Sequence, residues 1–286
     1  VFTNSISTTR SENDESITFE DIYLRLEDYN FLDKKGYLKS EIATIESFDS
    51  TDLNSIPVSP SIKYHNSSTI NEHQKITSEL SYRVLNRDNS TAVSPSQNYI
   101  FNFNSDIDSV YFLKNFKNYN KVSSLNSFRE YNFEHDKNLN RKDTRVDFIF
   151  SSDLYFDYYK DIIPRVKIIY PLNILKSDQI INEDSQSLGF NYYNQFSNNR
   201  LYGNDLIDNT PRIVYGLENN FNLANQNIKL RTNQSYDFKK NNLFATKVNQ
   251  EGNFSDISLE LSTNYKNINF YTDIRLDEED ITKKEL

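Results

Sequence analysis

The sequence predicts an all-β chain, an antiparallel transmembrane β-barrel, partial in extent, with long loops at one end. Three observations predict it. Apolar and polar residues alternate with period two over segments of roughly nine to twelve residues, the length a tilted strand needs to cross a bilayer. Short and long connections alternate between those segments, as they do where tight turns lie on one side of a membrane and longer loops on the other. The composition, with 20 Tyr, 20 Phe and 39 Asn against four Ala, favours strands joined by polar turns over helices. At 286 residues one large all-β unit is allowed. No shift in composition marks a second, so a single partial barrel domain is expected over 1–286, with strands less distinct in 1–145 than in 146–286. The chain has no Met and starts at Val1, so it is expected to be a processed or excised piece of a longer protein.

Along the chain, Ile17 to Leu26 and Gly36 to Ile45 are expected to form an early hairpin. Ile76, Leu80, Tyr82 and Val84 alternate with Thr77, Glu79, Ser81 and Arg83. The stretch Asn86 to Asn98, rich in Ser, Asn and Pro, is expected to be a loop. Tyr99 to Phe103, Val110 to Phe116 and Phe128 to Phe133 are expected strands. Val146, Phe148, Phe150, Leu154, Phe156 and Tyr158 then oppose Asp147, Ser151, Asp153 and Asp157. A tight turn at Lys160-Asp161 leads to Val166, Ile168, Tyr170 and Leu172. Keeping the alternation of short and long connections makes 173–211 one extracellular loop, although Leu188 to Tyr193 looks strand-like. A loop this long is expected to fold over or into the barrel mouth.

The carboxyl-terminal strands are the clearest. Ile213, Tyr215, Leu217, Phe221 and Leu223 share one face, followed by Ile228, Leu230, Thr232, Tyr236 and Phe238. Ile257, Leu259, Leu261, Thr263 and Tyr265 come next, then Ile268, Phe270, Thr272, Ile274 and Leu276. The short turns are Ala224 to Asn227 and Lys266-Asn267, and Lys239 to Asn253 is a long polar connection. The opposite face carries Arg212, Glu218, Lys229, Arg231, Asp237, Glu260, Asp273 and Arg275, which a barrel would turn to a hydrated lumen. Ile213, Tyr215, Leu217, Leu230, Leu259, Leu261, Phe270 and Ile274 are expected on one outer surface.

The formal charge of −9, with no basic run longer than two residues, argues against nucleic acid. A disulfide framework is excluded by the absence of Cys. His65, His73 and His135 lack metal-ligand spacing, and the acidic run Asp277 to Asp280 reads as a solvated strand end. Asn66-Ser67-Ser68 and Asn89-Ser90-Thr91 match the glycosylation pattern as 39 Asn would by chance. Five Gly assemble no phosphate loop or nucleophile elbow. No catalytic, cofactor-binding or metal residue is therefore assigned. Two other readings remain open on the residues alone: a different large barrel, such as a TonB-dependent receptor or porin, and a soluble extracellular all-β binding module.

A further pattern runs through the second half. Pro164-Arg165-Val166-Lys167-Ile168-Ile169-Tyr170 is followed by Asn199-Arg200-Leu201-Tyr202-Gly203-Asn204-Asp205 and then Arg212-Ile213-Val214-Tyr215-Gly216-Leu217. In order and spacing this resembles the barrel domain of the outer-membrane lipopolysaccharide assembly family LptD. There a Pro-Arg strand leads to Asn-Arg-Phe-x-Gly-Tyr-Asp-Arg and then to an Arg-initiated strand with Tyr-Gly. Gln234 to Phe238, Phe254 to Ile257 and Phe270 to Asp277 extend the resemblance, while Leu201, Asn204 and Leu206 depart from it.

The resemblance implies a translocon component in the outer membrane of a Gram-negative bacterium that delivers lipopolysaccharide to the outer leaflet and needs no catalytic residue. It implies an LptE-like lipoprotein plug in the lumen, an LptA-like periplasmic bridge reached through a domain outside this piece, and contact with outer-membrane lipids. It also singles out Pro164, Arg165, Asn199, Arg200, Gly203, Asp205, Arg212 and Gly216 as motif residues.

Overall fold

The computed structural model describes residues 2–7, 21–31, 36–44, 58–87, 95–157, 161–175, 180–182, 185–187, 189–203, 205–223, 226–239, 253–265, 268–277 and 283–285, with side chains only from residue 60 onward. Of the sequence expectations, those on Ile17 to Glu20, Ile45, Asn89 to Thr91, Tyr158, Lys160, Leu188, Asn204, Ala224, Lys266-Asn267, most of Lys239 to Asn253 and Glu278 to Asp280 lie outside the described residues.

The strands in chain order are β1 (Phe2–Ser7), β2 (Asp21–Phe31), β3 (Gly36–Thr44), β4 (Val58–Asn71), β5 (Gln74–Asn86), β6 (Gln97–Leu113), β7 (Phe116–Asn132), β8 (Arg141–Phe156) and β9 (Ile162–Leu175). A short hairpin of β10 (Gln186–Ser187) and β11 (Leu201–Tyr202) and one turn of helix α1 (Tyr192–Gln195) interrupt the series. It resumes with β12 (Arg212–Leu223), β13 (Gln226–Asp237), β14 (Ile257–Tyr265), β15 (Ile268–Leu276) and β16 (Lys283–Glu285). Apart from β10 and β11, which pair with each other, all are neighbours in chain order in one 14-stranded antiparallel sheet. Among the described residues no ladder joins β1 to β16, so the sheet is an open, barrel-type meander.

Connections after β2, β4, β6, β8, β12 and β14 are short, and those after β1, β3, β5, β7, β9, β13 and β15 are longer. This strict alternation places all the longer connections at one end of the sheet.

Register carries the sequence alternation across the strands. Ile168 sits beside Ile213 and Ser152, Tyr170 beside Phe150, and Phe150 beside Val122. Phe128 pairs with Phe101, which pairs with Tyr82, and their rings and those of their neighbours remain open to the surroundings. Ile168 is 45% exposed, Tyr170 56%, Phe150 43% and Phe270 55%, so large apolar side chains cover the outer face instead of filling a core. A soluble two-layer sandwich would bury them. The eight outer residues named above share this face, and each is exposed or half-buried.

Some expectations change. Val110 to Phe116 is not one strand. It is the end of β6, a turn at Lys114-Asn115 and the start of β7, and each of these strands is 17 residues long. The same Lys-Asn dipeptide is an expected turn at 266–267, but apolar residues on both sides of Lys114-Asn115 mask the turn there. β4 was not expected at all, because Pro60, Asn66, Ser67 and Ser68 dilute its pattern, and only its pairing with β3 and β5 defines it. β9 extends to Leu175, so the long connection starts at 176, not 173. Within it, Tyr192 and Tyr193 open a helix instead of ending a strand. Asn191 caps that helix: its side chain accepts from Tyr193 and Asn194 backbone N–H groups, and the Asn194 side chain completes a reciprocal box.

Candidate functional site

The connection between β9 and β12 does not stand away from the sheet. It lies on the polar face, the side turned to the lumen in a barrel, and holds itself together locally before it docks. Ser185 Oγ accepts from the N–H groups of Asp205 and Leu206 at 2.9 and 2.8 Å. Asn199 Oδ1 accepts from Leu201 and Asp208 N–H at 3.2 and 3.0 Å, while its amide nitrogen donates to the Leu206 carbonyl at 3.4 Å. Asn199 thus closes the Arg200 to Leu206 turn on itself. Gly203 has φ 93°, the left-handed region where a side chain is strained, and it is exposed just after β11.

Apolar contact seats the loop. Tyr192, Phe196 and Ile207 pack on Ile149, Ile169 and Val214, three apolar residues on the inner strand face, with half-buried Leu125 against them. Gly216 makes room for this. A Cβ there would lie 2.6 Å from the Thr232 carbonyl oxygen and 3.2 Å from Phe196 Cζ, so a side chain would push on backbone and on the docked ring together. Arg165 lies over the same ring at 3.8 Å while its guanidinium is bidentate to Asp153 at 3.0 and 2.7 Å.

Charge then locks the loop in two places. In the first, Arg200 Nε donates to Asp208 Oδ2 at 2.6 Å, and its two terminal nitrogens donate to Asp237 at 3.2 and 2.7 Å. Arg212 Nη1 donates to the same Asp208 oxygen at 2.7 Å, and Nη2 donates to the Ser197 and Asn198 carbonyls. The side chains of these four residues are wholly buried, and they sum to zero charge. Burial alone would raise the Asp208 pKa, but Arg212 and Arg200 outweigh it and hold the carboxyl below its usual range. Burial likewise opposes the charge on Arg200, and Asp208 and Asp237 overcome it, so its pKa lies above the ordinary value.

In the second, the Asp205 carboxylate meets Arg129 at 2.6 Å, with both side chains fully buried, and Arg83 at 3.8 Å. The Asp205 carbonyl accepts from Arg145, which also pairs with Asp147 at 3.1 Å. Gln195 adds a neutral link, donating to Ser258 Oγ at 3.1 Å and accepting from Asn233 at 3.3 Å. One segment of chain therefore ties strands from β5 to β14.

A depressed Asp208 pKa has a defined consequence. Its contribution to docking is complete above the unfolded carboxylate pKa of about 4 and is lost as pH falls through the lower folded value. Protease cleavage within 197–209 of the detergent-solubilised protein is expected to be greater below about pH 4, where Asp208 takes up its proton, than at pH 7. A loop no more open at pH 3 than at pH 7 would contradict the arrangement.

The structure gathers Arg200, Arg212 and Asp237 into one cluster and puts Asp205 in another. Glu218, Arg231 and Glu260 form a third: Arg231 pairs with Glu260 and, at 3.5 Å, with Glu218, which also accepts from the Tyr192 hydroxyl at 2.7 Å. Arg275 faces Asp256 at 3.5 Å. Lys229 and Asp273 lie on the same face. Pro164 does not join them: it pairs with Leu217 on the outer face. Most of these charges therefore meet each other or the loop. Sequence reasoning missed Asp208, Arg83, Arg129, Arg145, Tyr192, Gln195 and Phe196. Strand parity would have put the arginines on the inner face, whereas the loop residues carry no periodic signal.

An apolar outer surface, a charged inner surface and a loop packed inside define part of a membrane-spanning β-barrel of the outer-membrane type. No curated protein matches the chain. Residues 111–284, more than half of it, match the family model LptD, LPS transport system D, and the chain belongs to that family. It is thereby a member of a transport family of Gram-negative outer-membrane proteins that takes part in lipopolysaccharide transport to that membrane.

Proposed function

We propose that this chain is the wall of an outer-membrane translocon that inserts lipopolysaccharide into the outer leaflet, its 286 residues acting as one partial barrel unit. The observation that carries the reading is the pairing of a charged inner face with an apolar outer face in a sheet of the matched family. Sugar and phosphate groups are soluble along the first, and acyl chains along the second. An LptE-like lipoprotein is the fitting plug for the lumen, and an LptA-like periplasmic bridge the fitting source of the passenger. The short turns then face the periplasm and the docked loop the cell exterior. No step calls for a catalytic group.

Depleting the parent protein in its host tests this. Lipopolysaccharide at the surface of intact cells is expected to fall while it accumulates in the inner membrane and periplasm. Unchanged surface lipopolysaccharide with failed uptake of a solute would move the chain to a receptor or porin role.

A further inference from the structure

The apolar cover of the outer face is not uniform. On β4 to β7, Asn66, Ser78, Ser105 and Ser124 stand side by side in one cross-strand row. Ser78, Ser105 and Ser124 are each four residues from the outward-facing Tyr82, Phe101 and Phe128, so the row faces out as well. Ser105 and Ser124 are the central residues of two 17-residue strands. Tyr99 and Tyr111 lie six residues to either side of Ser105 on the same face, as aromatic girdles do at the two membrane surfaces, which puts the row near mid-depth. Closer to the short turns a second row follows, Ser109, Asn120 and Ser152. The same face of β9 carries Val166, Ile168, Tyr170 and Leu172 and no Ser, Asn or Gln.

Part of this polarity is used locally. The Ser78 and Ser105 hydroxyls meet at 3.4 Å, Asn126 donates to Ser124 at 2.9 Å, and Ser152 donates to Asn118 at 3.1 Å. Among the described residues, the side chains of the cross-strand neighbours Ser109 and Asn120 have no hydrogen-bond partner. Hydrocarbon supplies neither donors nor acceptors, so a hydroxyl or amide turned to lipid tails loses the bonds it makes to water. Within membranes such side chains, and small ones that let backbones approach, mark faces where protein packs on protein.

We propose that this face of β5–β7 is a contact between two copies of the barrel in the plane of the outer membrane. The residues themselves select a second copy. Every Ser and Asn both donates and accepts, and the two rows carry no formal charge, so the surface complements itself. Two copies in one membrane are related by an axis along the bilayer normal, which keeps each residue at its own depth and brings the mid-depth row onto its counterpart. Ile107 and Val122, paired between the two rows, supply apolar contact at the same place. The proposal needs the chain to span the membrane and does not depend on what passes through it.

The test expresses two differently tagged copies of the parent protein together in the host, with a benzophenone amino acid in place of Ile107. Ultraviolet light on intact cells is expected to give a product of twice the parent mass that carries both tags. The same group in place of Ile168, on β9, is expected to give none. Asn120→Leu takes an amide out of each side of the contact and is expected to lower the yield at position 107 at least about fivefold. Should Asn120→Leu lose the heat-modifiable mobility of a folded barrel, Ser109→Ala takes its place.

No doubly tagged product, equal yields from positions 107 and 168, a product joined only to a different protein, or a yield that survives the substitution would overturn the proposal. A doubly tagged product in a host whose surface lipopolysaccharide survives depletion would instead overturn the transport reading alone.

Discussion

Replacing Arg200 by Ala is expected to loosen the loop on the inner face. Arg200 spans Asp208 in the loop and Asp237 on β13, and removing it leaves both carboxylates buried, with Arg212 the remaining cation of the cluster. Breaking a fully buried pair by deleting one partner costs about 3–5 kcal/mol, far more than an exposed ion pair contributes. The apolar contacts of Tyr192, Phe196 and Ile207 and the Asp205–Arg129 pair do not involve Arg200, so the predicted state is a loop still seated at those points and loosened around residue 200, over 199–203. Hydrogen exchange on the solubilised protein should show amides of that segment losing protection while β12 and β13 keep theirs. Arg200→Lys retains charge but cannot fork to two carboxylates, so it should fall between wild type and Ala. Wild-type protection in Arg200→Ala would mean that the charge cluster does not hold the loop.

Ile168→Arg is the second large effect, and it tests the outer face. Ile168 lies mid-strand in β9 beside Ile213 and Ser152. In a bilayer an arginine near the midplane on the lipid face destabilises a barrel by about 2–4 kcal/mol, whereas the same change on a water-exposed strand is worth within about 0.5 kcal/mol. Folding into lipid vesicles, followed by denaturant titration, should show the larger loss. The loss should shrink when Arg replaces Ile162, at the short-turn end of the same strand. A uniform, small effect along β9 would remove the membrane from the account.

Strand parity was legible wherever one face is consistently apolar. Residues 212–276 show this, because Ile213, Leu230, Leu259 and Ile274 repeat an alternation that is set by the pleat alone and needs no knowledge of partners. It failed at β4, where the sequence offers Ser and Asn at successive positions, and the strand exists because β3 and β5 supply its hydrogen bonds. It failed at Lys114-Asn115 because a two-residue turn leaves no gap in a run of apolar residues. The motif residues Asn199, Arg200, Asp205, Arg212 and Gly216 were visible through family resemblance, but their work was not. Asn199 closes a turn, Arg200 and Arg212 share one aspartate, and Gly216 leaves space for Phe196.

Side-chain alternation over a few neighbouring residues is enough to give the class of sheet, its two faces, the rhythm of its turns and the long connection after β9. Tertiary structure alone decided that this connection docks inside and which charges neutralise which. Arg200 meets Asp237 across 37 residues of chain, and Arg145 meets the Asp205 carbonyl across 60. Pairs so far apart leave no local trace, because many inward-facing carboxylates could serve each arginine. The register of the strands and the seat made by Ile149, Ile169 and Val214 select one.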